Sequence, residues 1–281
     1  MTDAMAPPNS TQSATPTKPS AKLPSALLTL SSQFWFVVML AGQWFFAYYI
    51  LISFGGAALA GNATEATGHM ITGYVEGDLI GNIGLFAHLA LAFVITFCGP
   101  LQFIPAIRKH APKLHHINGR IYIVTALVIS IAAIYMVATR GSSTVWNAFA
   151  LGIDGVLIII FAILTVKNAI ARKISIHHKW ALRTFIAVSG VWFYRVMFAP
   201  AIVVSQGLPP GSTPALDGPF DIALGFGCYL IPLAILEVYF RVRANGGAMT
   251  KSVAALALTG LTLVMGFGIF SAGMIMWLPR L

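Results

Sequence analysis

The chain has 281 residues, of which 58% are hydrophobic and only 9% charged, whereas soluble domains carry about a quarter charged residues. Polar groups are too few to cover a soluble surface, so composition excludes an ordinary soluble domain and points to lipid as the main solvent. The formal net charge of +9 is spread over short turns between apolar runs, as in multi-pass membrane proteins, and forms no basic face for nucleic acid.

Taken in order, residues Met1 to about Pro24 are rich in Pro, Ser, Thr and Ala, with Lys18 and Lys22 as the only cations. No core can form there, and residues 1–33 are expected as a disordered cytoplasmic tail leading into the first span. Residues 34–281 form the transmembrane domain. Phe34–Gly56 is the first span. Ala58-Leu-Ala60 resembles a signal-peptidase site, but the apolar run is longer than a signal core and its leader too long, so an uncleaved helix is expected. A polar loop follows from Gly61 to Asn82, with Glu65, His69, Glu76 and Asp78. Further spans are predicted over Ile83–Ile107, Ile121–Thr139, Ala148–Ile170, Ala181–Val204, Phe220–Phe240 and Ser252–Leu278. The fold class is therefore all-α, a polytopic bundle of about seven transmembrane helices with helices two to five as its core. Pro100 and Pro105 should kink the second helix and Pro232 the sixth. Cys98 and Cys228 lie in apolar runs without a Cys-x-x-Cys pattern, which fits buried small hydrophobes better than a thiolate metal site.

Apart from Arg140, Arg195 and Arg280, every Lys and Arg falls on one side of this topology. That side should be the cytoplasm, with the amino terminus inside and the carboxyl terminus outside. Two cytoplasmic turns stand out. One is Arg108-Lys-His-Ala-Pro-Lys-Leu-His-His-Ile-Asn-Gly-Arg120, and the other Arg172-Lys-Ile-Ser-Ile-His-His-Lys-Trp-Ala-Leu-Arg183. Each joins an inward-running helix to an outward-running one, so helices two-three and four-five read as two copies of one hairpin.

Ionisable residues inside spans fall into two layers. In the outer half, a rise of about 1.5 Å per residue places His88, Asp154 and Arg195 within roughly 5 Å of one another in depth. Such residues are costly in lipid and usually paired, so Asp154 and Arg195 are expected to pair, with His88 nearby. That layer is either functional or a fixed polar clamp between helices. The inner layer contains Gln102, Arg108, His115, His116, Arg120, His177, His178, Arg183 and Glu237. Adjacent helical residues diverge by about 100°, so one histidine of each pair should face the bundle and the other the headgroups. Two inward imidazoles at equal depth can ligate a haem iron or another metal, with Arg108, Arg120, Arg183 and Gln102 placed to hold a cofactor's carboxylates. The competing reading is that the basic turns bind anionic lipid headgroups at the cytoplasmic face.

The run His88…Gly99-Pro-Leu-Gln102…Arg108…Leu114-His115…Gly119-Arg-Ile-Tyr122, followed by His177-His-Lys-Trp180-Ala-Leu-Arg183 and Arg195, resembles a bacterial family of predicted membrane proteins. That family is catalogued as domain of unknown function number twenty-three hundred and six. The likeness covers about His88 to Pro200, within a core of about residues 83–204. It implies a multi-pass fold and names no activity. On the family pattern His115 and His177 are the matching histidines, with His116 and His178 less so.

These features point to a multi-pass protein of the bacterial inner membrane with a redox or metal role centred on His115 and His177. Haem b is the expected cofactor and electron transfer the reaction class. The alternatives are a proton-coupled small-molecule transporter built on His88, Asp154 and Arg195, and a non-catalytic accessory subunit. Expected partners are the bilayer itself and a larger membrane complex or a second copy.

Overall fold

The computed structural model describes residues 22–68, 73–140 and 144–281, and every regular element among them is helical. His69 and most of the expected tail, residues 1–21, lie outside the described residues. Helix α1 (Lys22–Tyr49) begins within the stretch assigned to the tail, so residues 22–33 are helical. It continues through a π-helical segment, Ile50–Gly56, into α2 (Ala57–Ala60), and α3 (Ala63–Thr67) follows. Then come α4 (Leu79–Leu101), α5 (Pro105–His110), α6 (Pro112–Arg140), α7 (Val145–Ile170), α8 (Ile174–Val188) and α9 (Gly190–Ser205). The chain finishes with α10 (Pro219–Asn245), α11 (Ala248–Ala272), a π-helical segment Gly273–Trp277 and a 3-10 turn Leu278–Arg280.

Six of these helical stretches are long and apolar enough to cross a membrane, and α8 with α9 makes a seventh as one span bent by 51°. The bundle also exposes large aliphatic side chains along its length, among them Ile83, Val124, Ile163, Leu256 and Val264. Water would penalise so continuous an apolar surface, whereas lipid does not. The protein is a multi-pass integral membrane protein in contact with the bilayer.

Local chemistry explains most helix ends. Asp78 accepts from the Gly81 N–H at 2.9 Å to start α4, and Thr144 from the Asn147 N–H at 3.1 Å to start α7. Asp221, almost wholly buried, accepts from the Ser212 hydroxyl at 2.7 Å and the Thr213 and Gly218 N–H groups at 3.1 Å. It thereby ties the loop after α9 to the first turn of α10.

Three proline and helix expectations change. The second span ends at Leu101 rather than Ile107, because Pro105 starts α5 at a position where its missing N–H costs nothing. Helix α10 passes through Pro232 as one helix. The fifth span, expected to be continuous, breaks at Ser189. There the Ser189 hydroxyl donates to the Phe185 carbonyl at 2.7 Å and accepts from Gln43 Nε2 at 2.8 Å. A serine bonded back to its own helix, followed by Gly190, is a known source of helix bends.

Helix α9 runs through the middle of the bundle, packed on α10 and α11, while α1 packs along α11 and α4. The α9–α11 approach needs a glycine. A Cβ on Gly268 would overlap the Val196 carbonyl oxygen. On the other side α6, α7 and α8 are consecutive neighbours, so α6 and α8 flank α7 with a gap between them.

Candidate functional site

The two histidine turns adopt matching registers. His115 and His116 are the fourth and fifth residues of α6, and His177 and His178 the fourth and fifth of α8. Both pairs therefore leave their helices in the first turn, at the same end of the bundle. Sequence spacing alone differs between the two turns because the first contains the extra helix α5. Counting from the helix starts removes that difference.

All four histidines border one cavity of about 2120 Å³ between α1, the Gln102–Ile104 link and α5–α11. Gln102, Arg108, Arg120 and Arg243 line it at the same end, and aliphatic and aromatic side chains line the rest. The expectation that one histidine of each pair turns away is met only in part. His115 and His177 are half-buried and His116 and His178 exposed, yet all four reach the cavity. The Phe103 ring lies edge-on to His178 with centroids 6.3 Å apart, which helps to hold that exposed ring at the wall.

His177 Nδ1 is 3.0 Å from the Thr165 carbonyl oxygen of α7. A carbonyl only accepts, so Nδ1 carries the proton and Nε2 is left for a ligand. His115 Nδ1 is buried without a hydrogen-bond partner among the described residues. His115 and His177 are also close enough to interact electrostatically. On α6 the residues one and two turns beyond His115 are Gly119 and Tyr122, all on one face. A Cβ on Gly119 would stand 3.1 Å from Gln102 Oε1, so the glycine lets α4 and α6 close around the amide.

Arg183 is not part of this wall. Its Nε and Nη2 donate to the Glu237 carboxylate at 2.6 and 3.0 Å, and its guanidinium stacks over Trp180 with 4.4 Å to the ring centroid. A bidentate pair of this kind uses the fork that a cofactor carboxylate would need, so Arg183 is removed from the cofactor-holding set. Arg243, by contrast, donates to the Tyr239 hydroxyl at 2.6 Å and lines the cavity. The basic stretch Arg241-Val-Arg243 closing the sixth span was the available signal, since topology brings it to the histidine end.

No group of three or more His, Cys, Asp or Glu that could hold a metal ion occurs among the described residues. A bare zinc or copper ion needs three or four protein ligands.

The other polar layer does not assemble. Arg183–Glu237 is the only ion pair among the described residues, so Asp154 and Arg195 do not pair. Asp154 Oδ1 is buried without a partner, and its other oxygen abuts Gly190, where a Cβ would stand 3.0 Å away. Its electrostatic neighbours are Cys228 and Tyr229 of α10. Arg195 instead faces α1 and α4, lying over the Phe46 ring and near His88. The two charges share a depth and occupy opposite sides of α9. None of the three residues lines the cavity.

Residues 85–216 match the family model described as predicted membrane protein, DUF2306. This segment is similar to the DUF2306 family. No curated protein and no solved structure matches the chain. The DUF2306 segment runs from α4 through the loop after α9 and supplies all four cavity histidines with Gln102, Arg108 and Arg120. Helices α1, α10 and α11 lie outside it. They contribute Arg243, the Glu237 partner of Arg183, and much of the apolar wall.

Proposed function

We propose that the DUF2306-like segment binds a haem at the histidine end of its cavity, with His115 and His177 as axial ligands, and that the protein transfers electrons in the membrane. The observation that carries this reading is that two half-buried imidazoles, in the same register on α6 and α8, border a single cavity, with the Nδ1 of His177 held by a backbone carbonyl. Metal-bound histidines commonly donate the other ring N–H to a backbone carbonyl, as His177 does to Thr165. Haem supplies four equatorial nitrogens, so two histidines complete it where a bare ion would need more protein ligands. Bound there, it would supply one-electron chemistry. The protein's part is to set the axial nitrogens, exclude water with the apolar wall, and hold the propionates. Arg108, Arg120 and Arg243 are free of carboxylate partners and suit that last task.

The location is proposed as the bacterial inner membrane with the histidine end facing the cytoplasm. The clustering of Lys and Arg at that end supports this orientation. His116, His178 and the neighbouring lysines then stand at headgroup level, where anionic lipid is the natural contact. The transporter alternative needs a polar cavity at the depth of His88, Asp154 and Arg195, and these residues do not line the large cavity.

An absorption spectrum of the protein purified in detergent from cells supplied with haem tests the proposal. A Soret band near one haem per chain, with an α band after dithionite, is the expected result. No Soret band at that level would rule it out.

A further inference from the structure

Arg195 is a cation without a counter-ion among the described residues. It stands in the body of α9, ten residues and about 15 Å from the helix end at Ser205. Its Nη1 donates to the Val191 carbonyl at 2.9 Å, and its Cζ lies 5.1 Å from the centroid of the Phe46 ring. The groups within electrostatic reach are His88 of α4, Tyr49 of α1 and the adjacent Tyr194. Arg280, at the chain's last turn, is near Tyr49 in its turn. This is a set of cations, hydroxyls and rings, with no carboxylate paired to the guanidinium.

A guanidinium keeps its charge under all physiological conditions and carries five N–H donors. One carbonyl leaves most of those donors unmet, at a depth where an unpaired charge is expensive. The residue expected to neutralise it, Asp154, faces α10 on the other side of α9. Arg195 is half-buried and His88 exposed, so a ligand can reach both from the flank between α1 and α4.

We infer that Arg195 and His88 bind an anionic oxo group, a phosphate or a carboxylate, on the α1–α4 side of α9 and outside the lining of the histidine cavity. The planar fork of Arg195 takes two of the anion's oxygens, as guanidinium groups do, and the His88 imidazole N–H donates to a third or shares one. A phospholipid headgroup entering from the bilayer and a free anion entering from the aqueous end offer the same chemistry. The site is independent of the haem reading, since neither residue lines that cavity.

The test uses the full chain in detergent, free of phosphate buffer. Native mass spectrometry reads phospholipid retained through detergent exchange, and calorimetric titration of lipid-stripped protein reads binding of inorganic phosphate. Retention of one phospholipid by the wild type, reduced at least tenfold in Arg195→Gln, supports the inference with lipid as the source. Phosphate binding that weakens at least tenfold in Arg195→Gln supports it with a free anion as the source. Arg195→Lys, which keeps the charge and loses the fork, and His88→Ala should each weaken binding severalfold, and they carry the test if Arg195→Gln does not fold. Wild-type protein that retains no phospholipid and binds no phosphate overturns the inference, as does binding unchanged by all three variants.

Discussion

At the histidine end, four imidazoles from α6 and α8 share one cavity. At the far end, His88, Asp154 and Arg195 lie at similar depth, yet the two charges never meet. Both groups were placed by the same arithmetic of rise per residue, so the difference lies elsewhere. Depth along a helix follows from residue count at about 1.5 Å each. Facing depends on the 100° rotation per residue and on which helices become neighbours. The histidines lie at the same register on two helices that flank α7, so matching depth came with matching direction. Asp154 on α7 has Cys228 and Tyr229 of α10 as electrostatic neighbours, whereas Arg195 on α9, beyond the 51° break at Ser189, lies over Phe46 of α1.

Four sets of variants sharpen or break this contrast. The largest effect is expected at the histidine end. His177→Ala or His115→Ala should each lower haem content at least tenfold, while His116→Ala should leave it within about twofold, as measured by absorbance per chain. Equal losses at His115 and His116 would erase the distinction between half-buried and exposed members.

The second variant, Gly268→Ala, tests the packing that holds α9 at the far end. Its Cβ would overlap the Val196 carbonyl, and overpacking of this kind costs about 1–3 kcal/mol. Thermal unfolding in detergent should show that loss, with haem content of the folded fraction unchanged.

A third effect separates the ion pair from the cavity. Arg183→Ala and Glu237→Gln should each destabilise by about 1–2 kcal/mol, less than a fully buried pair, because the side chains are 18% and 39% exposed. The double variant should lose little more than either single one, and haem affinity should stay near wild type.

The smallest effect is the most direct on the far end. Asp154→Asn and Arg195→Gln should have additive effects on stability to within about 0.5 kcal/mol, as for residues that do not touch. A coupling above about 1 kcal/mol would mean that the two do pair.

Much of the fold was legible in the sequence because lipid imposes a simple rule. Long apolar runs must be helices, and short basic turns must join them. Seven spans followed, with the fifth broken where Ser189 bonds to Phe185 and Gln43, a tertiary contact with no local signal in the chain. The position of Pro105 was ambiguous for a related reason: proline disrupts a helix interior and favours a helix start, and only the break after Leu101 decides between them. At the candidate site, residue type singled out the two histidine pairs, which are the polar landmark of both turns and do border one cavity. Arg183 was misassigned because a basic residue near a cavity attracts a cofactor role until its partner is known. Glu237, more than fifty residues later, supplies that partner from α10. Arg243 went unplaced for the same reason, since which interior it reaches depends on how α10 packs.

The central claim is that His115 and His177 converge on one ligand through Nε2. Near-infrared magnetic circular dichroism of the haem-loaded, oxidised protein reports the axial pair directly. A bis-imidazole signature that disappears in both single histidine variants is the predicted result. A signature of methionine, water or hydroxide as an axial ligand, or a bis-imidazole signature that survives in His115→Ala or His177→Ala, would contradict the account.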